Sequence, residues 1–232
     1  MARKKKRTIP RWTRRSGTAR WKKLLVAALA AGTIGGGALA AGNLPYFKGE
    51  KVIEVVDGDT FIIENKQPIR LYGINAPDIH YCFGKEAQQA LSSLILGKRV
   101  QLREPEVDRF GRRVMSLVYV NGVLVNEVMI RAGFAEYENE GGSQGARMDE
   151  ANTYARENHI GIYSPECYRP EPPYPSCTIK GNFDKTKYKK IYFTPQCGGY
   201  PQVFILKYQG DDWFCTEAEA KRAGFVQSET CK

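Results

Sequence analysis

Short runs of β-branched residues separated by turn signals dominate the middle of the chain. KVIEVV (51–56) and TFIIE (60–64) flank Asp57-Gly58, a pair that favours a tight turn, so these two runs predict a hairpin. Further runs at 69–74, 99–103 and 114–120 predict three more strands. Between them, Ala87, Ala90, Leu91, Leu94 and Ile95 recur at helical spacing until Gly97, which predicts an amphipathic helix of about three turns. Asn121-Gly122 marks a turn, after which Val125, Val128, Met129 and Ala132 keep a helical period up to Gly133. Residues 146–158 are rich in helix formers, with Gly161 closing a third helix. Five short strands with three helices predict an α+β domain built on a small, partly open barrel.

The pattern changes at 165–175, where prolines cluster. A linker is drawn at 167–176, between a larger domain at 48–166 and a smaller unit at 177–232. The smaller unit has strand-like runs at 189–194 and 203–206, and Thr216 followed by Glu219 is a capping box that opens a helix. So short a segment buries little apolar surface, and its cysteines Cys177, Cys197, Cys215 and Cys231 are candidates to staple it.

Charge changes the picture at the N-terminus. The formal net charge is +10, but 11 basic residues and no acidic one precede position 24. Of the chain's 35 basic residues 24 remain after that point against 25 acidic ones, a balance near −1, so the charge total does not describe a cationic folded domain. The stretch 24–47 has no charged residue and as a helix would span roughly 36 Å, enough to cross a bilayer core. It reads as a transmembrane anchor or, with the small-x-small pattern at Ala38 to Ala40, as a cleavable signal. Either way the basic flank 1–23 stays cytoplasmic, and the chain beyond 47 is extracytoplasmic, membrane-anchored or secreted. A nuclear-import run at Lys4 to Arg7 and a twin-arginine signal at Arg14-Arg15 leave the uncharged segment unexplained.

All six cysteines lie beyond that segment, as an oxidising compartment would allow. With no C-x-x-C pair and only His80 and His159, the sequence argues against a closed zinc site and against nucleases that depend on a histidine base.

Cleaving a phosphodiester requires neutralising the anion, activating water and stabilising charge on phosphorus. Residues 57–112 contain groups suited to all three. Asp57 and Asp59 flank one turn, Asn75 and Asp78 follow a strand, and Arg70 and Arg112 can fork onto phosphate oxygens. Singly, each has an ordinary reading. An Asp-Gly pair is by default a plain turn, Arg112 beside Gly111 and Arg113 a solvated charge, and Arg70 an outward-facing strand residue.

Taken in order, VVDGDT (55–60), IRLYGINAPD (69–78), FGKEA (83–87), DRFGRRV (108–114) and VNEVMIRAGFA (125–135) resemble the staphylococcal nuclease (thermonuclease) family. The resemblance covers 50–165 and implies an OB-fold barrel with three helices that cuts DNA and RNA with little sequence preference, using Ca2+ and no organic cofactor, as a monomer. It implies calcium ligands at Asp59, Asn75 and the Ala76 carbonyl, with Asp57 reaching the ion through water. It implies that Arg70 and Arg112 grip the phosphate, that Asp78 activates water, and that Phe110 stands beside the substrate where a tyrosine is common. Asn75 and Asp78 depart from the family's usual Asp and Glu. The first removes a charge from the ion site, and the second shortens the base by one methylene.

The segment 177–232 is similar to a module attached to bacterial members of that family. The pairing expected for the cysteines is Cys177 with Cys215, Cys197 with Cys231 and Cys82 with Cys167, although sequence does not determine connectivity. Beside the nuclease stands a second reading, a catalytically weak or inactive module that binds nucleic acid or a protein partner. A third, an envelope protein organised by its C-terminal unit, leaves the ordered motifs unexplained.

Overall fold

A computed structural model describes residues 49–107, 114–138, 142–185 and 187–231. The segments 1–23 and 24–47, and the site candidates Phe110 and Arg112, lie outside the described residues. β1 (Glu50–Val55) and β2 (Thr60–Ile63) form the hairpin expected around Asp57-Gly58. Val52 and Val55, three apart, are both buried because a register shift between Val52 and Glu54 breaks the strict alternation of a strand. β3 (Pro68–Leu71) pairs antiparallel with β2, while β5 (Arg99–Val107) joins β1 to β6 (Val114–Val120). A parallel pairing of β3 with β6, Ile69 to Val114 through Leu71 to Ser116, closes these five strands into a barrel. Closure removes both sheet edges and encloses Val52, Phe61, Ile63, Ile69, Leu71, Val100 and Leu117. This is the α+β, OB-like fold.

The run expected as one strand at 69–74 is divided. Gly73 takes a positive φ, so the chain turns after Leu71 and resumes as β4 (Ile74–Asn75), paired with β8 (Glu136–Tyr137) in a sheet of its own. The helix α1 (Gly84–Ile95) buries Ala87, Ala90, Leu91, Leu94 and Ile95, the face set by their spacing. A short β7 (Val123–Leu124) leads into α2 (Val125–Arg131), and α3 (Gly145–Glu157) follows β8. Asn126, fully buried on α2, accepts from Val118 N at 2.9 Å and donates to Tyr72 O at 2.9 Å. It thereby ties α2 to the two sides of the barrel seam.

Beyond the barrel, β9 (Ile179–Asp184), β10 (Lys189–Phe193), β11 (Asp212–Phe214) and β12 (Val226–Gln227) form a second sheet in the order β11-β9-β10-β12. Ile179, Tyr192, Phe225 and Ala220 of α4 (Glu217–Arg222) make its core, and Thr216 and Glu219 form the capping box at the helix start. The run at 203–206, expected as a strand, is not one: only Leu206 makes a bridge, to Tyr168, between two short 3-10 turns. Its apolar residues answer to packing, for Ile205 is buried while Phe204 is 62% exposed.

All six cysteines are in disulfides, Cys82–Cys167, Cys177–Cys215 and Cys197–Cys231. The described residues fall within one compact unit, and the second sheet is seated on the barrel. Trp213 Nε1 donates to Arg169 O at 3.0 Å, Lys207 N to Cys167 O at 3.0 Å, and Gln209 Nε2 to Glu136 Oε2 at 3.0 Å. Tyr163 and Tyr208 meet edge to face, 6.1 Å between centroids, in the apolar cluster that also holds Cys167.

The second sheet turns on Asp211, a buried carboxylate that accepts from Phe183 N (2.7 Å), Leu206 N (3.1 Å) and Asn182 Nδ2 (3.2 Å). Asp211→Ala leaves three donors unpaired and is expected to cost about 2 to 4 kcal/mol at pH 7. Burial pushes the Asp211 carboxyl above its ordinary 3.8 despite those bonds. The folded state therefore holds this proton where the unfolded chain has released it. Stability declines as pH rises through the window just above 3.8 and levels off above the folded value. Urea midpoints read by tryptophan fluorescence across that window should slope downward in the parent and less so in Asp211→Ala.

Candidate active site

The turn between β1 and β2 is built by its own side chain. Asp57 Oδ1 accepts from Asp59 N at 3.0 Å and Thr60 N at 2.7 Å, an Asx turn that holds the loop and directs Asp59 inward. Asp59 is 2% exposed. Its Oδ1 accepts from Thr60 Oγ1 at 2.9 Å and forms an ion pair with Arg70 Nη1, and its Oδ2 accepts from Ala76 N at 2.8 Å. Arg70 stands on β3 opposite Thr60, and its Nη2 donates to Asn75 Oδ1 at 3.0 Å and Ile74 O at 3.2 Å. One guanidinium thus bridges an oxygen of Asp59 and an oxygen of Asn75.

Burial pushes the Asp59 carboxyl up to about 6. Arg70 pulls it down, the neighbouring charge of Asp57 pushes it up, and the bonds from Ala76 and Thr60 pull it down. Burial prevails, so this carboxylate needs a positive partner to stay ionised near neutrality.

Helix α1 is the platform for both halves of the site. A Cβ on Gly58 would stand 2.5 Å from Ala87 Cβ and 2.6 Å from Ala76 Cβ, so the Asp57–Asp59 turn touches the helix and the β4 segment with backbone alone. One helical turn earlier, a Cβ on Gly84 would stand 1.9 Å from Asp78 O. From the same helix Gln88 Nε2 donates to Val55 O (3.2 Å) and Val56 O (2.9 Å), holding the end of β1. Asp78 is exposed; one oxygen accepts from His80 N at 2.9 Å and the other makes no hydrogen bond among the described residues.

Of the residues named from the sequence, the structure brings Asp57, Asp59, Arg70, Asn75 and Ala76 into one hydrogen-bonded group, with Asp78 on the adjoining turn. Ala76 joins that group through its N–H. Thr60, Gly58 and Gln88 were missed. Thr60 stood in plain view within VVDGDT, whereas Gln88 carries no local signal because its partners are more than thirty residues away.

The donor set can be tested for a hard cation. Among the described residues no three His, Cys, Asp or Glu side chains cluster as metal ligands. The oxygens available are those of Asp59, Asn75 and Asp57, and two of them already converge on one positive group, the Arg70 guanidinium. Their hard-oxygen chemistry suits a divalent cation, for which backbone carbonyl and water oxygens would have to complete the shell.

A closed OB-type barrel with a buried acidic turn, an arginine across it and an exposed carboxylate on the next turn suits a nuclease-like protein. Residues 68–165 match the family described as Staphylococcal nuclease homologue, a span that begins after the Asp57–Asp59 turn. The "Micrococcal nuclease" of Shigella flexneri is 36% identical over 130 residues, covering 51% of this chain and 74% of that protein. "Protein ParB" of Escherichia coli is 32% identical over 127 residues, 49% of this chain and 71% of the relative. The chain belongs to the staphylococcal nuclease family.

Gly58→Ala tests the contact between turn and platform. With no room for a methyl group, the turn must move, at a cost of about 1 to 3 kcal/mol in stability. Ala87→Gly weakens the helix on its own, but Gly58→Ala should cost less in that background than in the parent when the two are compared by thermal unfolding.

Proposed function

We propose that this protein is an extracytoplasmic, calcium-dependent endonuclease that hydrolyses DNA and RNA with little sequence preference. One observation carries the reading: the oxygens of Asp59 and Asn75 meet on one guanidinium, Arg70, beside the turn that bears Asp78. Disulfide pairing of all six cysteines supports placement outside the cytoplasm. The uncharged 24–47 stretch supports delivery there, as anchor or as cleaved leader.

In this reading Asp59, Asn75 and the Ala76 carbonyl hold Ca2+, with Asp57 near it. The ion polarises a phosphate oxygen when bound. Arg70 then turns from the Asp59 and Asn75 oxygens toward the phosphate, where its planar fork neutralises charge, with Arg112 as the second guanidinium and Phe110 beside the substrate. Asp78, exposed and with one oxygen uncommitted, takes a proton from the attacking water. Holding Asp78 O against Gly84 fixes the base relative to the turn that carries Asp59.

The full chain should degrade single-stranded DNA with millimolar calcium and lose activity with EDTA. Arg112→Ala should lower kcat by roughly 10²-fold or more, as removal of a transition-state donor does. Intact DNA after prolonged incubation of the parent with calcium would defeat the reading.

A binding module without hydrolysis is the second reading, favoured by Asn75 and by the short Asp78. Asn75→Asp with Asp78→Glu separates the two. A large gain from an inert parent marks a module that has lost catalysis, and a gain of about tenfold to hundredfold from a working parent marks a slow enzyme.

A further inference from the structure

The charge balance near −1 outside the N-terminal tail conceals a local concentration of positive charge on the second sheet. The turn joining β9 to β10, with the first residues of β10, contains Lys185, Lys187, Lys189 and Lys190 against one adjoining carboxylate, Asp184, which accepts from Lys187 N at 3.2 Å and stands opposite Lys189. Among the described residues none of these four ammonium groups is in an ion pair. Lys190 Nζ lies 5.3 Å from the Phe225 ring centroid and 3.5 Å from Ala223 O.

A lysine-rich turn alone is an ordinary solvated surface, and three further facts set this one apart. First, Tyr188 at its tip is 83% exposed, with its ring edge to face with Phe183 at 6.3 Å, so an aromatic face is presented amid the lysines. Second, a cavity of about 520 Å³ lies between the barrel loop and the sheet, lined by His80 and Tyr81 on one side and Lys190, Phe214 and Phe225 on the other, with Arg169 beside them. Two of its carboxylates are committed: Asp212 pairs with Lys207 at 3.0 Å, and Asp211 accepts from backbone and Asn182 donors. Arg169 and Lys190 are left against the exposed Glu166.

Third, both features adjoin the candidate active site. His80 N holds Asp78 Oδ1, so the cavity opens where the Asp78 turn ends. Lys185 acts electrostatically on Glu136, whose backbone pairs with Asn75 and whose carboxylate accepts from Gln209. Cations spaced along a turn, an exposed ring and a cleft leading from a cleavage site suit a flexible polyanion with unstacked bases, and an exposed ring gains nothing from duplex DNA.

We propose that the β9–β10 turn and the adjoining cleft bind a single strand of nucleic acid that continues from the cleavage site, with the lysines on its phosphates and Tyr188 stacked on a base. This rests on the nuclease reading and makes the second sheet part of the substrate path.

The test compares the detergent-solubilised full chain with a variant carrying Lys→Gln at 185, 187, 189 and 190 and Tyr188→Ala. Binding of a labelled oligothymidylate of about 20 nucleotides is followed by anisotropy in EDTA over a salt series. The basic tail is common to both proteins, so the difference reports the turn. The variant should bind at least tenfold more weakly, and its salt slope should be shallower by about 2 to 3, at roughly 0.7 per phosphate contact. Tyr188→Phe should match the parent, while Tyr188→Ala alone should lose about fivefold or more. With calcium, KM for the long oligonucleotide should rise in the variant while a dinucleotide, too short to reach the turn, is cleaved equally by both.

Equal affinity and equal slope in parent and variant overturn the proposal. So does unchanged oligonucleotide binding with lost sedimentation on phosphatidylserine vesicles, which would make the turn a membrane contact. Binding in EDTA requires no cleavage, so failure of the nuclease reading shows separately, as a dinucleotide left intact by both proteins.

Discussion

A carboxylate removed from water has to be answered by positive charge, and Asp59 places that demand at the centre of this protein. Its partners are drawn from three separate stretches of chain: Thr60 beside it, Arg70 on β3, and the Ala76 amide past β4. Meeting the demand gathers the hairpin turn, the barrel seam and the β4 segment at one point. Arg70 answers it, and its other terminal nitrogen takes the side-chain oxygen of Asn75 into the same group. Arg70 thus stabilises the carboxylate against the burial that pushes its pKa up.

Around that point the barrel provides support without bulk. Closure between β3 and β6 sets Arg70 beside Met115 in the seam, and α1 presents small residues to the turns it holds, Ala87 to Gly58 and Gly84 to Asp78. Side chains are scarce where segments meet and concentrated where chemistry is to occur. The second sheet is held differently: a small core around Tyr192 and Phe225, two staples and one buried aspartate keep it together.

The barrel strands were legible as β-branched runs between turn signals, the first two helices by their period, as the α1 face of Ala87, Ala90, Leu91 and Leu94 shows, and the third by its helix-forming composition. The pairs β4 with β8 and β10 with β12 were not, since two-residue strands have no period and exist only where a distant partner places them. The 203–206 run misled for the related reason that an apolar run looks like a strand whether or not a partner pairs with it, and here only Leu206 makes a bridge. At the site, the order of motifs pointed to a family, but the burial of Asp59 and its bond to a residue eleven positions away belong to the folded chain. Net charge concealed the turn at Lys185 to Lys190, for a sum over the chain has no geometry.

Cys82 lies four residues beyond Asp78, and its partner is Cys167, 85 positions later. The clasp on this loop is therefore made of two parts synthesised far apart in time. While the chain is emerging, or while it remains among reductants, the loop is tied by hydrogen bonds and apolar packing without a covalent link. Oxidation then locks the loop carrying the candidate base to the segment on which the second sheet is seated, a final fastening that can be made only after translation has passed both cysteines and the surroundings permit it.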